Sequence, residues 1–389
     1  VKKNKKMSCK ALKRPVMTHS FHGIIDSTLR EGEQTPGVCF SQAQRKAIIR
    51  QLCQVGVEEI ELGIASDKNS HLPELFDFAR QASKGNQRLG LWCRCRSEDI
   101  AFAASCRPDV LSLSIPASDL HITERLRKNH AWVLTTLCRA VAEAGKYGIP
   151  CISLGLEDAT RANHKFLCQL ATTAADCGVQ RLRIADTVGI GTPAAITKIV
   201  QMILQISGLS CGVHTHNDFG MATANAIAAL EAGASWIDAT VLGLGERAGN
   251  CRLEETVAFL CLQRGFKHYR TGHLPALCQT VSQAANTPIA RNHPVVGEAI
   301  FTCETGLHLH GLTVNPRTYE PYSPEKVGAC RTMRFGHKSG KRALSNYLQA
   351  LGYPIDDNRA DTLVRQLKKL TDLPAQGLSD SEILHLATP

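Results

Sequence analysis

An α/β chain folded as a (β/α)8 TIM barrel, followed by a helical C-terminal linker and lid region, is what this sequence predicts, on three observations. Short β-branched or apolar runs alternate with longer amphipathic runs eight times. The eight units fill about 245 residues, the size of such a barrel. No glycine-rich dinucleotide loop follows the first run, as an open doubly wound sheet would carry. Strict alternation implies parallel strands joined by helical crossovers.

The elements follow in order. The first strand is expected at 23–26, and a charged loop leads from it to an amphipathic helix at 41–55 that stops at Gly56. A second strand at 58–62 feeds a helix at 72–83, and a third at 89–93 precedes a fourth at 110–114. The long amphipathic stretch 123–147 ends at Gly148, and the strand at 151–155 leads to a helix at 164–177 closed by Gly178. Strands at 182–185 and 212–216 alternate with helices at 193–206 and 221–232, the latter ending at Gly233. The eighth strand, 236–242, runs to a helix at 253–263 before Gly265. Glycine after the last periodic residue suits a left-handed C-cap. Beyond residue 268 the alternation is lost among Pro275, Pro288, Pro294, Pro316, Pro321 and Pro324. The expected organisation is a basic, disordered lead at 1–20, a catalytic barrel at 21–268, and a region at 269–389. That last region holds a helix-rich linker, an irregular segment around 305–328 and helices from 340 onward.

Composition narrows the function. The chain has 389 residues with 45 Lys plus Arg against 35 Asp plus Glu, and its first 20 residues hold seven of the positives and no acid. Without them the remaining 369 residues carry only +3, so a basic nucleic-acid surface is not indicated and no nucleic-acid partner is expected. The lead, ahead of Met17, reads as an appendage or an extension from an upstream start. No run of eighteen apolar residues occurs and the N-terminus lacks an apolar signal core, which points away from a membrane and toward the cytoplasm. The 16 cysteines are scattered, with Cys93 and Cys95 the one close pair and no CxxC. They read as free thiols in a reducing compartment, not as a disulfide framework or a zinc finger.

In a barrel of this kind the chemistry sits at the C-terminal ends of the strands. Strand seven ends in His214-Thr-His216-Asn-Asp218, and pleating puts both imidazoles on one face, where they can bind one divalent metal with a carboxylate as third ligand. Strand one opens onto Asp26-Ser-Thr-Leu-Arg30-Glu31-Gly-Glu33-Gln34, and Glu31 is the natural carboxylate; taken alone, such a run is better read as a solvated loop with surface ion pairs. Strand eight enters Gly243-Leu-Gly245-Glu246-Arg247-Ala-Gly249-Asn250, whose three glycines allow close approach to a ligand, with neither Rossmann spacing nor position. Gly340-Lys341 lacks phosphate-loop spacing. Strands five and six contribute Glu157-Asp158 and Asp186-Thr187, which could equally cap the next helices.

The strand-one, strand-seven and strand-eight motifs, in this order, resemble the 2-isopropylmalate synthase and homocitrate synthase family of metal-dependent condensing TIM barrels. The match runs from about Phe21 to about Leu351. The segments Trp92-Cys-Arg94, Ser114 to Asp119, Gly155 to Arg161 and His216 to Asn225 look most like the nitrogen-fixation type of homocitrate synthase. The resemblance implies condensation of acetyl-CoA with 2-oxoglutarate to homocitrate and CoA, with homocitrate destined for the nitrogenase cofactor. It implies a divalent ion (Mg, Mn or Zn) on Glu31, His214, His216 and Asn250, with Arg30 at the developing negative charge and Gln34 and Thr187 on the oxo acid. Gly243, Gly245, Glu246, Arg247 and Gly249 are expected at the co-substrate acetyl-CoA. His308 is implied as the base, with Tyr319 and Glu157 in support, reaching into the partner's barrel in a homodimer whose C-terminal regions are swapped. The resemblance also places Ser153 where lysine-pathway relatives carry an arginine for the distal carboxylate, and Arg94 is the candidate to replace it. The rival readings are an acceptor of 2-oxoisovalerate or pyruvate, as in isopropylmalate or citramalate synthase, and, remotely, a nucleic-acid module acting through the basic lead.

Overall fold

The computed structural model describes residues 21–304, 306–370, 378 and 380–387; the basic lead lies outside them. Eight strands alternate with helices in the expected order: β1 Gly23–Asp26, α1 Gln42–Val55, β2 Glu59–Ile64, α2 Leu72–Ser83, β3 Arg88–Arg94, α3 Ser97–Ser105, β4 Val110–Pro116 and α4 His130–Lys146. They continue as β5 Ile152–Glu157, α5 His164–Asp176, β6 Arg181–Asp186, α6 Pro193–Ser207, β7 Ser210–Thr215, α7 Ala222–Glu231, β8 Trp236–Ala239 and α8 Leu253–Leu262. All pairings are parallel, and β8 returns to β1 from Gly23↔Trp236 to Asp26↔Ala239, which closes the barrel.

Within the barrel, α3 forms between β3 and β4 where the sequence reading named no helix, and two further elements differ for local reasons. The stretch at 123–147 divides into a one-turn π-helix at His121–Arg125 and α4, because Asn129 caps α4 by accepting from the Trp132 N–H. The eighth strand stops at Ala239, where the chain turns through Val241–Gly243 and Val241 N donates to Thr28 Oγ1.

Strand alternation sorts the side chains. Leu89, Leu91 and Cys93 of β3, and Leu182 and Ile184 of β6, are buried in the apolar layer between strands and helices. Each such leucine is worth roughly 1.5–3 kcal/mol of burial. The alternate positions face the barrel axis, and several of them are charged. In a lower tier Arg181 binds Glu59 through both terminal nitrogens (3.0 and 2.7 Å) and donates from Nε to Ser153 Oγ at 3.0 Å. In an upper tier Arg183 donates to Glu61 at 2.8 Å and Ser112 Oγ at 3.1 Å, and pairs with Asp238. Buried charges persist only when paired in this way.

The apolar core of the barrel continues past residue 268. α9, Leu274–Ala285, packs on α1 with Leu274, Leu277 and Val281 inside that core. A short parallel pair, β9 Thr302–Cys303 and β10 Thr332–Met333, follows. α10, Gly306–Val314, occupies the segment expected to be irregular; Leu309 gives it a buried anchor beside Leu344, Leu348 and Leu363. These belong to a second core built with α11 Lys341–Ala350, α12 Asp357–Lys369 and α13 Asp380–Ala387. Among the described residues no helix is long and apolar enough to cross a membrane, and none of the described cysteines is joined in a disulfide.

Candidate active site and metal centre

Glu31 from the β1 loop and His214 and His216 from β7 and its end converge at the barrel mouth, all buried, with their ligand atoms within 4.8 Å of one another. His216 Nδ1 lies 3.1 Å from the Asp186 carbonyl and His214 Nδ1 lies 3.0 Å from Asp238 Oδ2. Each acceptor takes a proton from Nδ1, so both Nε2 lone pairs face inward. His216 Nε2 then stands 3.2 Å from Glu31 Oε1, and His214 Nε2 3.7 Å from Oε2. Acceptor faces acceptor, an arrangement that a cation between them resolves. Burial lowers the His214 pKa and so favours the neutral imidazole. Burial alone would push the Glu31 carboxyl up, but the Arg30 guanidinium beside it holds it well below the usual carboxylate range.

Asn250, bridged along the backbone to His216, stands beside this group. Its Nδ2 donates to the Leu244 carbonyl at 2.9 Å, and its buried Oδ1 has no hydrogen-bond partner. A buried amide oxygen left unsatisfied is costly unless something charged or polar meets it. Two imidazoles, an ionised carboxylate and an amide oxygen suit Mg, Mn or Zn alike.

Arg30, Glu31, Gln34, Glu157, Thr187, His214, His216 and Glu246 all line one cavity of about 230 Å3 at this mouth. Arg30 is held on both sides, by Glu31 and by Glu61 at 2.6 Å. Glu157 accepts from Ser114 Oγ at 2.8 Å and pairs with Arg125. Thr187 Oγ1 accepts from the Asp158 N–H at 2.8 Å.

The remaining expected residues lie outside that cavity. The Arg94 guanidinium turns to Asp99 (2.6 and 3.1 Å) on α3. Ser153 sits in the lower tier under Arg181. Arg247 binds Asp218 and the Thr187 carbonyl. The glycines of the strand-eight loop serve the loop's own packing: a Cβ on Gly249, whose φ is +85°, would stand 1.9 Å from the Gly243 carbonyl oxygen, and one on Gly245 would stand 1.9 Å from Asn250 Nδ2. The space beside Gly243 is taken by Arg252 and the Asn250 carbonyl. His308 and Tyr319 form an exposed ring pair 4.2 Å apart on the C-terminal region. Asp158 and Asp186 tie their loops together but do not cap the next helices: Asp158 binds Arg161, Asp186 accepts from Gly191 N and Thr160 Oγ1, and Asn163 and Thr192 cap α5 and α6. Glu33 is likewise structural, gripping Arg45 with both oxygens at 2.6 Å.

Sequence reasoning missed Glu61, Ser112, Arg183 and Asp238. Glu61 and Arg183 carried a readable signal, since Glu59/Glu61 and Arg181/Arg183 are charged i, i+2 pairs inside strands, the same pleat logic that singled out His214 and His216.

A closed parallel barrel with two imidazoles and a carboxylate gathered at its C-terminal mouth defines a metal-dependent TIM-barrel enzyme. The chain belongs to the HMGL-like family, which it matches over residues 22–281, and residues 295–374 match the homocitrate synthase post-HMGL domain-like family. It is 39% identical over 331 residues to a homocitrate synthase of Frankia alni, covering 85% of this chain and 93% of that protein. It is 35% identical over 366 residues to 2-isopropylmalate synthase 2 of Caldanaerobacter subterraneus subsp. tengcongensis, covering 93% and 94%. An (R)-citramalate synthase of Methanocaldococcus jannaschii is 35% identical over 362 residues, covering 93% of this chain and 73% of that one. Among solved structures, the HMG-CoA lyase of Bacillus subtilis superposes with a TM-score of 0.63 at 17% identity, over 71% of this chain and 96% of that one, which is a likeness of fold.

Proposed function

We propose that this protein condenses acetyl-CoA with 2-oxoglutarate to give homocitrate and CoA, as a cytoplasmic homodimer whose product feeds nitrogenase cofactor assembly. The observation that carries the reading is the inward-facing Glu31, His214 and His216 donor set with the unpartnered Asn250 Oδ1 beside it. Homocitrate synthases among the relatives favour the dicarboxylic acceptor.

Glu31, His214, His216 and Asn250 would hold a divalent ion, which when bound supplies Lewis acidity to the ketone of the 2-oxo acid. Gln34 and Thr187 orient that acid in the cavity. Arg30, fixed by two carboxylates, stands ready for the negative charge that grows as the carbonyl is attacked, a stabilisation made mainly in the transition state. His308 of the partner subunit takes a proton from the acetyl methyl, with Tyr319 packed on its ring and Glu157 in support. The new carbon–carbon bond forms between that methyl carbon and the ketone carbon. Water then cleaves the thioester, releasing CoA.

Thiol release from acetyl-CoA, measured with 2-oxoglutarate, 2-oxoisovalerate and pyruvate, with and without chelator, tests the reading. The expected order puts 2-oxoglutarate first and activity vanishes on chelation. Preference for 2-oxoisovalerate or pyruvate would transfer the chain to the isopropylmalate or citramalate synthases, and chelator-resistant activity would sink the metal-dependent scheme.

A further inference from the structure

A dicarboxylic acceptor needs a cation for its second carboxylate, and Arg94 does not reach the cavity. We infer that Arg183 and Ser112, on the cavity floor, form the subsite that receives the distal carboxylate of the 2-oxo acid; the inference rests on the acceptor reading above.

Both residues line the cavity, and both are nearly inaccessible, at 4% and 2% exposure. Arg183 belongs to β6, and its strand neighbour across the β5 ladder is Gly155, while Ser112 belongs to β4. Gly155 lines the same cavity, and a Cβ there would rest at ordinary contact distance from Leu113 and Ser114 of β4. Arg183 also lies close below the metal centre, because the Asp238 oxygen it pairs with is the one that takes the His214 proton. An acid held at the metal by its ketone end would therefore direct its chain across the floor toward this group.

The hydrogen bonding suits an incoming anion. Ser112 Oγ accepts from Arg183 at 3.1 Å, which leaves its hydroxyl proton to donate. Glu61 is shared between Arg183 and Arg30, and Asp238 between Arg183 and His214, so neither carboxylate neutralises Arg183 alone. The other cation on the cavity wall outside the metal centre, Arg125, is half exposed and held by Glu157. An aliphatic acceptor end would leave the Ser112 hydroxyl proton facing an apolar group beside the Arg183 charge, whereas a carboxylate accepts that proton and meets the charge. Sites of this kind discriminate strongly against the analogue that lacks the polar group.

The test compares kcat/KM for 2-oxoglutarate and for 2-oxovalerate, which has the same chain length without the second carboxylate. Arg183→Gln should lower the value for 2-oxoglutarate about 100-fold more than the value for 2-oxovalerate. Arg183→Lys should recover part of the loss. Ser112→Ala, which removes one hydroxyl and leaves every ion pair in place, should raise the 2-oxoglutarate KM by about tenfold alone, and it serves if the arginine variants do not fold. An unchanged preference in both the Arg183 and Ser112 variants, or equal losses with both acids, overturns the subsite and leaves the acceptor reading standing. A wild-type enzyme that prefers 2-oxovalerate overturns the acceptor reading, and the subsite with it.

Discussion

Asp238 takes the Nδ1 proton of His214 with one oxygen, and the same oxygen pairs with Arg183. One carboxylate thus sets the tautomer of a metal ligand and anchors the cavity-floor arginine. Replacing it by Asn keeps the shape but removes the charge that favours the correct tautomer. Asp238→Asn is expected to weaken Mn2+ binding by about 10–100-fold in calorimetric titration while the circular dichroism spectrum stays native. Unaltered affinity would mean that packing alone orients the imidazole. The metal centre itself was legible in the sequence because its signal is local: two histidines one pleat repeat apart at a strand end. Asp238 was not, because a lone acid inside an apolar strand carries no pattern, and only barrel closure tells which partner faces it.

At the scale of elements, the eight strands were readable from alternation, and their ends were less so. Strand β8 stops three residues early because Leu242 takes a left-handed φ of 59° and the chain must fold back to deliver Asn250. The loop from Gly243 to Asn250 is closed by the Asn250 N–H donating to the Gly243 carbonyl at 2.9 Å. Gly249 makes that closure feasible, combining a left-handed φ with a space that the Gly243 oxygen already fills. Gly249→Ala should cost about 1–3 kcal/mol in denaturant unfolding and displace the Asn250 amide, so that metal affinity falls as well. Stability within a few tenths of a kcal/mol of wild type would show that the loop adapts freely. The sequence suggested that these glycines admit a ligand; their tightest neighbours are instead the loop's own atoms, a distinction that three-dimensional crowding decides and spacing does not.

For the molecule as a whole, two apolar cores divide the chain, one in the barrel and one gathering α10 to α13. His308 and Tyr319 ride with the second core and stay off the cavity wall, which accords with a base delivered from a partner subunit. Mixing Glu31→Gln chains with His308→Ala chains should then regain activity, up to about a quarter of wild type if subunits exchange at random. Mixtures as inactive as their components would place each His308 over its own barrel. The tiered ion pairs along the barrel axis have a consequence for redesign. The Glu59–Arg181 tier lies beneath the cavity, touches none of the proposed ligands, and can be exchanged for shape-matched aliphatic side chains, a change that elsewhere has been neutral or stabilising. The Glu61–Arg183 tier, one pleat higher, admits no such exchange, so that a single step along β2 and β6 separates scaffold open to thermostabilising engineering from residues committed to chemistry.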